Sequence, residues 1–310
     1  MKKFAKGCFI TALSMLFIGL IIVIICIIIG GESLFSYLRN EASHHGHISG
    51  IFDNTVVTFH NGKSHVDFSD HHPTYSGQHE NAQVAKASDI TNLDMDFGGG
   101  MCVISESSDE YFHINTENAN EFQYYTDGNT LFLKGFDDIT FGVHSGDFNK
   151  VYLEIPKNFS FENINIELGA GYLESHSLIA TDSLILEVGA GELITDSLAT
   201  DTLTLEVGAG NAEIDNACVN DSEITVGFGN ITYHGIINKD LTAECGMGNL
   251  ELFLQDSYEA HNYSVDCAMG NLTLHEKSFG AVAYSEQIEH GTDSTYTLEC
   301  GMGNMNILFQ

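Results

Sequence analysis

The sequence contains no tryptophan, only two prolines and a single arginine, Arg39. So few prolines beside 31 glycines fit an ordered, strand-rich domain better than a disordered stalk. From about residue 41 onward arginine is absent, and seven lysines face 42 acids, a net charge of −35 with histidine neutral. That balance excludes nucleic acid and anionic lipid as partners, because both need basic patches. It favours solubility, cations or polycations.

Catalytic signatures are missing as well. No C-x-x-C, H-E-x-x-H or G-x-S-x-G occurs, and no Ser-His-Asp order stands out. A β-helical polysaccharide lyase or hydrolase needs a base or an oxyanion-binding group beside its carboxylates. Here Lys63, Lys86, Lys134, Lys150, Lys157, Lys239 and Lys277 are scattered outside the repeating columns described next. No catalytic, cofactor-binding or metal-ligating residue is therefore assigned, and the expectation is a protein that is not an enzyme.

What the sequence does hold is a repeat. The phrase "LILEVGAGELITDSLATDTLTLEVGAG" states L-x-L-E-V-G-A-G twice, nineteen residues apart. Numbered from the first residue of each G-x-G, copies start at Gly98, Gly169, Gly189, Gly208, Gly227, Gly246, Ala268 and Gly301. Apolar residues at −5, −3 and −1 give period 2, a strand with one buried face, and +4 and +6 continue inward beyond the glycines. A third apolar spot falls at +9 and +10. The second glycine of each pair, such as Gly210, is expected to serve a tight corner that needs φ > 0 or close backbone approach. Phosphate binding by G-x-G is excluded, because that fingerprint requires a helix after the glycines. The fold expected is all-β: a parallel, β-helix-like solenoid of 19–20-residue coils over residues 88–310, each coil stacked on the next.

Ahead of it, residues 8–30 are apolar and uncharged, long enough for one transmembrane helix. Lys2, Lys3 and Lys6 precede the span, so residues 1–7 are expected to be cytoplasmic and the C-terminal domain extracytoplasmic, with the segment uncleaved as a signal anchor. Residues 31–87 form a juxtamembrane spacer holding His44, His45, His47, His60, His65, His71, His72 and His79. Beside Asp67 and Asp70 these imidazoles could hold zinc, copper or nickel, although their spacing matches no closed zinc pattern, and a solvated spacer is the plainer reading. Cys102, Cys218, Cys245, Cys267 and Cys300 all map to inward columns and read as buried thiols.

Four further expectations follow from spacing. "YFHINTENANEFQYYTDGNTLFLKG" reads as strands about a T-D-G-N turn. The 33-residue step before Gly301 places a lateral loop at residues 275–295. The final coil, "MGNMNILFQ", should leave an unpaired edge covered by that loop or by another protomer, giving a homo-oligomer. Finally, the −2 column (Asp96, Glu167, Glu187, Glu206, Thr225, Glu244, Asp266, Glu299) should face outward as a carboxylate row. Mutual repulsion there raises pKa values, and divalent cations such as calcium would relieve it.

The order "ITNLDMDFGGGMCVI", "NTLFLKG", "VYLEIPKNFSFENINIELGAGYLESHSL" and then G-x-G coils resembles the bacterial β-strand-repeat family of unknown function labelled "putative adhesin". The resemblance covers roughly residues 88–310, but the His-rich spacer and late cysteines depart from it. It implies a surface location behind one membrane helix, with some members accompanying cell-envelope stress systems. The function expected is envelope interaction, adhesion or stress sensing through a cell-envelope component or protein partner. The alternatives are an extracytoplasmic Ca/Zn-binding module and, less favoured, a polysaccharide-active enzyme.

Overall fold

A computed structural model describes residues 56–60, 63–67, 75–76, 79–80, 82–119, 122–135, 149–280 and 283–310. The apolar run 8–30 lies outside them, as do His44, His45, His47, His71 and His72. Among the described residues no helix is long and apolar enough to cross a membrane. The chain divides into two units, Met1–His71 and His72–Gln310. In the first, Val56–His60 and Lys63–Asp67 pair as an antiparallel hairpin.

The second unit is all-β and solenoid-like, built from a long and mostly parallel strand ladder. Alternation does what the sequence requires of it. In Leu178–Val188, Leu184, Leu186 and Val188 are buried while Glu187 faces out. Across to the next coil Leu184 pairs with Leu203, Leu186 with Leu205 and Val188 with Val207, all in register. Each buried leucine contributes roughly 1.5–3 kcal/mol by leaving water, and only a stacked neighbour can supply that burial. After the G-x-G corner a second ladder runs through Glu192–Thr195, whose Leu193 pairs with Leu173 on one side and Ala212 on the other.

Of the two causes expected for the corner glycines, close backbone approach is the one that operates at nearly all of them. Among the second glycines of the pairs, φ is positive only at Gly100, +78°. The others are required by contact between coils. A Cβ on Gly210 would stand 2.2 Å from the Gly191 carbonyl oxygen, and one on Gly229 would stand 2.1 Å from that of Gly210. No side chain fits between the stacked corners.

Cys218 is a correction. Cys102, Cys245, Cys267 and Cys300 are buried, but Cys218 is exposed. Strand alternation cannot turn two successive residues inward. Ala217 and Val219 take the buried positions and Cys218 between them points out.

Spatial order departs from chain order at both ends. Asn92–Phe97 lies directly against Phe161–Leu168, with Asp96 opposite Glu167, so the long separation between the first two copies is a detour. Residues of that detour close one end. Thr130–Gly135 and Lys150–Pro156 extend the two ladders in parallel, and Gln123–Asp127 and Tyr111–Glu117 then add in antiparallel sense. The T-D-G-N turn joins two of these strands, with Gly128 at φ +56°.

At the other end the expected unpaired edge of the final coil is overturned. Thr295–Cys300 lies between Leu241–Cys245 and Asn262–Cys267, and Asn304–Phe309 lies between Asn249–Leu254 and Asn271–Leu274. The last-made coil is thus the penultimate one in space. The outermost coil, Asn262–Leu274, is covered by antiparallel strands Tyr284–Ile288 and Lys277–Phe279. The 275–295 segment does provide the cover, though for a different coil.

A candidate binding surface on the last coils

The central residue of each G-x-G projects from the corner. In spatial order these residues run Gly99, Ala170, Ala190, Ala209, Phe228, Met247, Met302, Met269. In each coil the ridge residue's own N–H donates to the first glycine of the coil before it in space, each at 2.7 Å: Phe228 N–H to Gly208 O, Met247 to Gly227, Met302 to Gly246 and Met269 to Gly301. The four large side chains are 63%, 43%, 45% and 47% exposed, in that spatial order. At about 4.8 Å per coil they form an apolar ridge about 14 Å long.

The ridge has a polar border on each side. Beyond the corner, Asn211, Asn230, Asn249, Asn304 and Asn271 form a continuous amide ladder. Each amide donates from Nδ2 to the Oδ1 of its neighbour, at 2.7, 2.7, 2.9 and 3.0 Å along the stack. Sequence reasoning missed this ladder, although the recurring G-N after each x was its signal. Before the corner lies the −2 column, in the spatial order Asp96, Glu167, Glu187, Glu206, Thr225, Glu244, Glu299, Asp266. A groove of about 510 Å³ runs beside the ridge on this side, with Glu244, Glu299, Asp266 and Tyr284 in its lining. Below the corner, Cys245, Cys300 and Cys267 stack in the same three coils. Each thiol donates to the carbonyl of its own coil's second glycine, at 3.3 to 3.4 Å. Burial pushes Cys300 up to about 12, so its thiol is inert as a nucleophile at neutral pH.

Within the carboxylate column, Glu167 is held above the ordinary carboxylate range, first by partial burial and then by Asp96, Glu187 and Asp94, with Lys134 opposing. A raised folded-state pKa means that the proton favours the fold. The stabilisation is present at acid pH and lost as pH rises through the folded value. Glu167→Gln should therefore raise the melting temperature at pH 7, with the gain shrinking towards pH 4. Thermal melts at both pH values check this; an equal gain at both would mean that charge in the column is not its source.

Among the described residues no group of three His, Cys, Asp or Glu is placed to hold a metal ion. Of the spacer histidines, His60 and His65 sit on the hairpin strands. His79 lies edge-on to Tyr124, its ring centroid 5.0 Å away. Its Nε2 is buried without a partner, and burial lowers its pKa.

The structure does assemble one Ser-His-Asp set. His261 Nδ1 lies 2.5 Å from Ser294 Oγ, and its Nε2 lies 2.6 Å from Asp256 Oδ2. The spacing along the chain is aperiodic and carried no signal. The hydroxyl of Ser294 donates to the Lys239 carbonyl, which can only accept. With that proton on the carbonyl, Nδ1 is placed to donate to Ser294, and Nε2 faces the Asp256 carboxylate. A serine whose proton is committed to a carbonyl has no general base, and the ring is 2% exposed and stacked on Tyr296 at 4.0 Å. The set is a clamp between the 256–261 turn and the 290s segment.

The family model described as Toastrack DUF4097 matches residues 90–299. Similar solved structures include a "putative adhesin" from Bacteroides fragilis, 14% identical with TM-score 0.40, covering 77% of this chain and 98% of that one. A "putative cell adhesion protein" from Clostridium sporogenes is 13% identical with TM-score 0.29, covering 77% and 100%. A "putative lipid binding protein" from Parabacteroides distasonis is 13% identical with TM-score 0.39, covering 75% and 96%. No curated protein matches the chain.

Proposed function

We propose, for a chain that belongs to the Toastrack DUF4097 family, the role of a non-enzymatic cell-surface protein whose rigid β-solenoid engages another component of the cell envelope. The observation that supports this reading best is the ridge of Phe228, Met247, Met302 and Met269. On an exterior carrying a net charge of −35, a continuous line of four large apolar side chains is the kind of patch that marks an interaction site. The coils beneath it are stacked in register, so the ridge is presented on a preorganised backbone.

Residues 8–30 supply the anchor in this reading, with residues 1–7 inside and the strand ladder outside. The test is protease treatment of intact cells that produce the full chain with a C-terminal tag. Loss of the tag with residues 1–7 protected is the expected result. A protected tag, or a mature N-terminus near residue 31, overturns the anchored-surface reading. Turnover of any polysaccharide in a glycan-degradation screen overturns the non-enzymatic part.

A further inference from the structure

From the ridge and its acidic border we infer that the last four coils form a docking strip for a basic amphipathic helix of a partner polypeptide. The inference rests on the surface role proposed above and names the partner's chemistry.

Three features converge on it. The first is pitch. The ridge residues recur once per coil, about 4.8 Å apart, and an α-helix advances 5.4 Å per turn. A helix lying along the stack therefore meets about one coil per turn, and three turns cover the whole ridge. The second is side-chain type. Met247, Met302 and Met269 are unbranched and polarizable, the residue type that adapts to varied apolar partners, and Phe228 closes the row as an aromatic anchor. The third is charge. The groove beside the ridge is bordered by Glu244, Glu299 and Asp266 with no lysine in its lining, and Glu206 extends the column past the Phe228 coil. A helix with its apolar face on the ridge would point its flanking lysines or arginines at this column, as charge complementarity demands. The Asn ladder on the opposite side is self-satisfied and neutral, so the pairing has a polarity: basic residues on one flank only.

The surrounding molecule admits this occupant better than the obvious rivals. Anionic lipid and nucleic acid would meet a surface of their own sign. A second copy of the chain would bring one acidic column against another.

The absence of tryptophan gives a clean assay. The full chain in zwitterionic nanodiscs is titrated against an amphipathic helical peptide of Leu and Lys, about 18 residues long, that carries one Trp. Empty nanodiscs serve as the blank, and a Glu-for-Lys peptide and a scrambled peptide as controls. Saturable blue-shifted emission with the basic peptide alone is expected. Changing Phe228, Met247, Met302 and Met269 together to Gln should weaken binding by about tenfold or more, whereas Met247→Leu, Met302→Leu and Met269→Leu combined should leave it within about threefold. Glu244→Gln, Glu299→Gln and Asp266→Asn together should weaken binding and remove much of its salt dependence.

These positions are exposed, and a melting curve of each variant serves as the check that it folds. Binding unchanged in the Gln variant would reduce the effect to diffuse charge and overturn the strip. Equal binding of the acidic or scrambled peptide, or no saturable binding, would overturn it as well. A dimer of the chain that dissociates in the Gln variant would assign the ridge to a second copy instead. Protease accessibility on intact cells is unaffected by any of these results, so failure of the docking strip and failure of the surface role are read separately.

Discussion

Gly210→Ala should destabilise the protein by about 3 kcal/mol or more. The new Cβ would stand 2.2 Å from the Gly191 oxygen and 2.9 Å from the Gly191 nitrogen, with Val188 Cγ1 at 3.0 Å. Two of these neighbours are backbone. The Gly191 carbonyl already accepts the Asn211 N–H at 2.9 Å, so retreat of either coil breaks the ladder that joins them. Overpacking alone costs about 1–3 kcal/mol, and each lost backbone bond adds about 1. Gly128→Ala separates this cause from backbone strain. Gly128 has φ +56° with nothing within 4 Å of the added carbon, so its loss should be only about 1–2 kcal/mol. Thr202→Val, exposed on a strand, should fall within about 0.5 kcal/mol of the parent. Denaturant melts of the three variants give the order directly. A loss at Gly128 equal to that at Gly210 would mean that conformation, not contact between coils, sets the requirement.

Asp256→Asn should remove about 1.5–3 kcal/mol. The change keeps the shape of the side chain but replaces the carboxylate that faces His261 Nε2 with a neutral amide, in a site where the ring is 2% exposed. The carboxylate is itself largely buried, so water does not make good the lost hydrogen bond. Replacing both partners, Asp256→Leu with His261→Phe, should recover part of the loss, because a phenyl ring can keep the stack on Tyr296 without needing a hydrogen-bond partner. Urea melts of the single and double variants check this. A single variant within about 0.5 kcal/mol of the parent would show that the Asp256–His261 contact does not hold the clamp.

Much of the fold was written in the columns. Period-2 alternation about the G-x-G corners identified the buried faces, because one residue in two must meet its equivalent in the next coil. The same logic failed at Cys218, where two adjacent positions had been assigned inward against the alternation. It also failed for the order of the last coils. "ECGMGN" occurs twice and "DCAMGN" once, and three near-identical phrases do not say which lies beside which. The crossing is made by the 275–295 segment, whose path depends on the antiparallel strands it forms with Asn262–Cys267 and Asn271–Leu274. The ridge was visible as Phe and Met in the x position, but only the stacking order turns four scattered residues into a line. Asp256, His261 and Ser294 follow no period, and their meeting is a product of the same crossing.

The interleaved coil also bears on how the molecule is made. A chain synthesised from its N-terminus completes Asn262–Leu274 before residues 295–309 exist. The free edge then on offer is Leu241–Cys245 with Asn249–Leu254, the edge that Thr295–Cys300 and Asn304–Phe309 occupy in the finished stack. Both claimants carry the same inward cysteine, the same outward methionine and the same ladder asparagine, so docking of the early one there would have nearly native complementarity and would have to be undone before the later one enters. The stack cannot be assembled in the order in which its coils are translated.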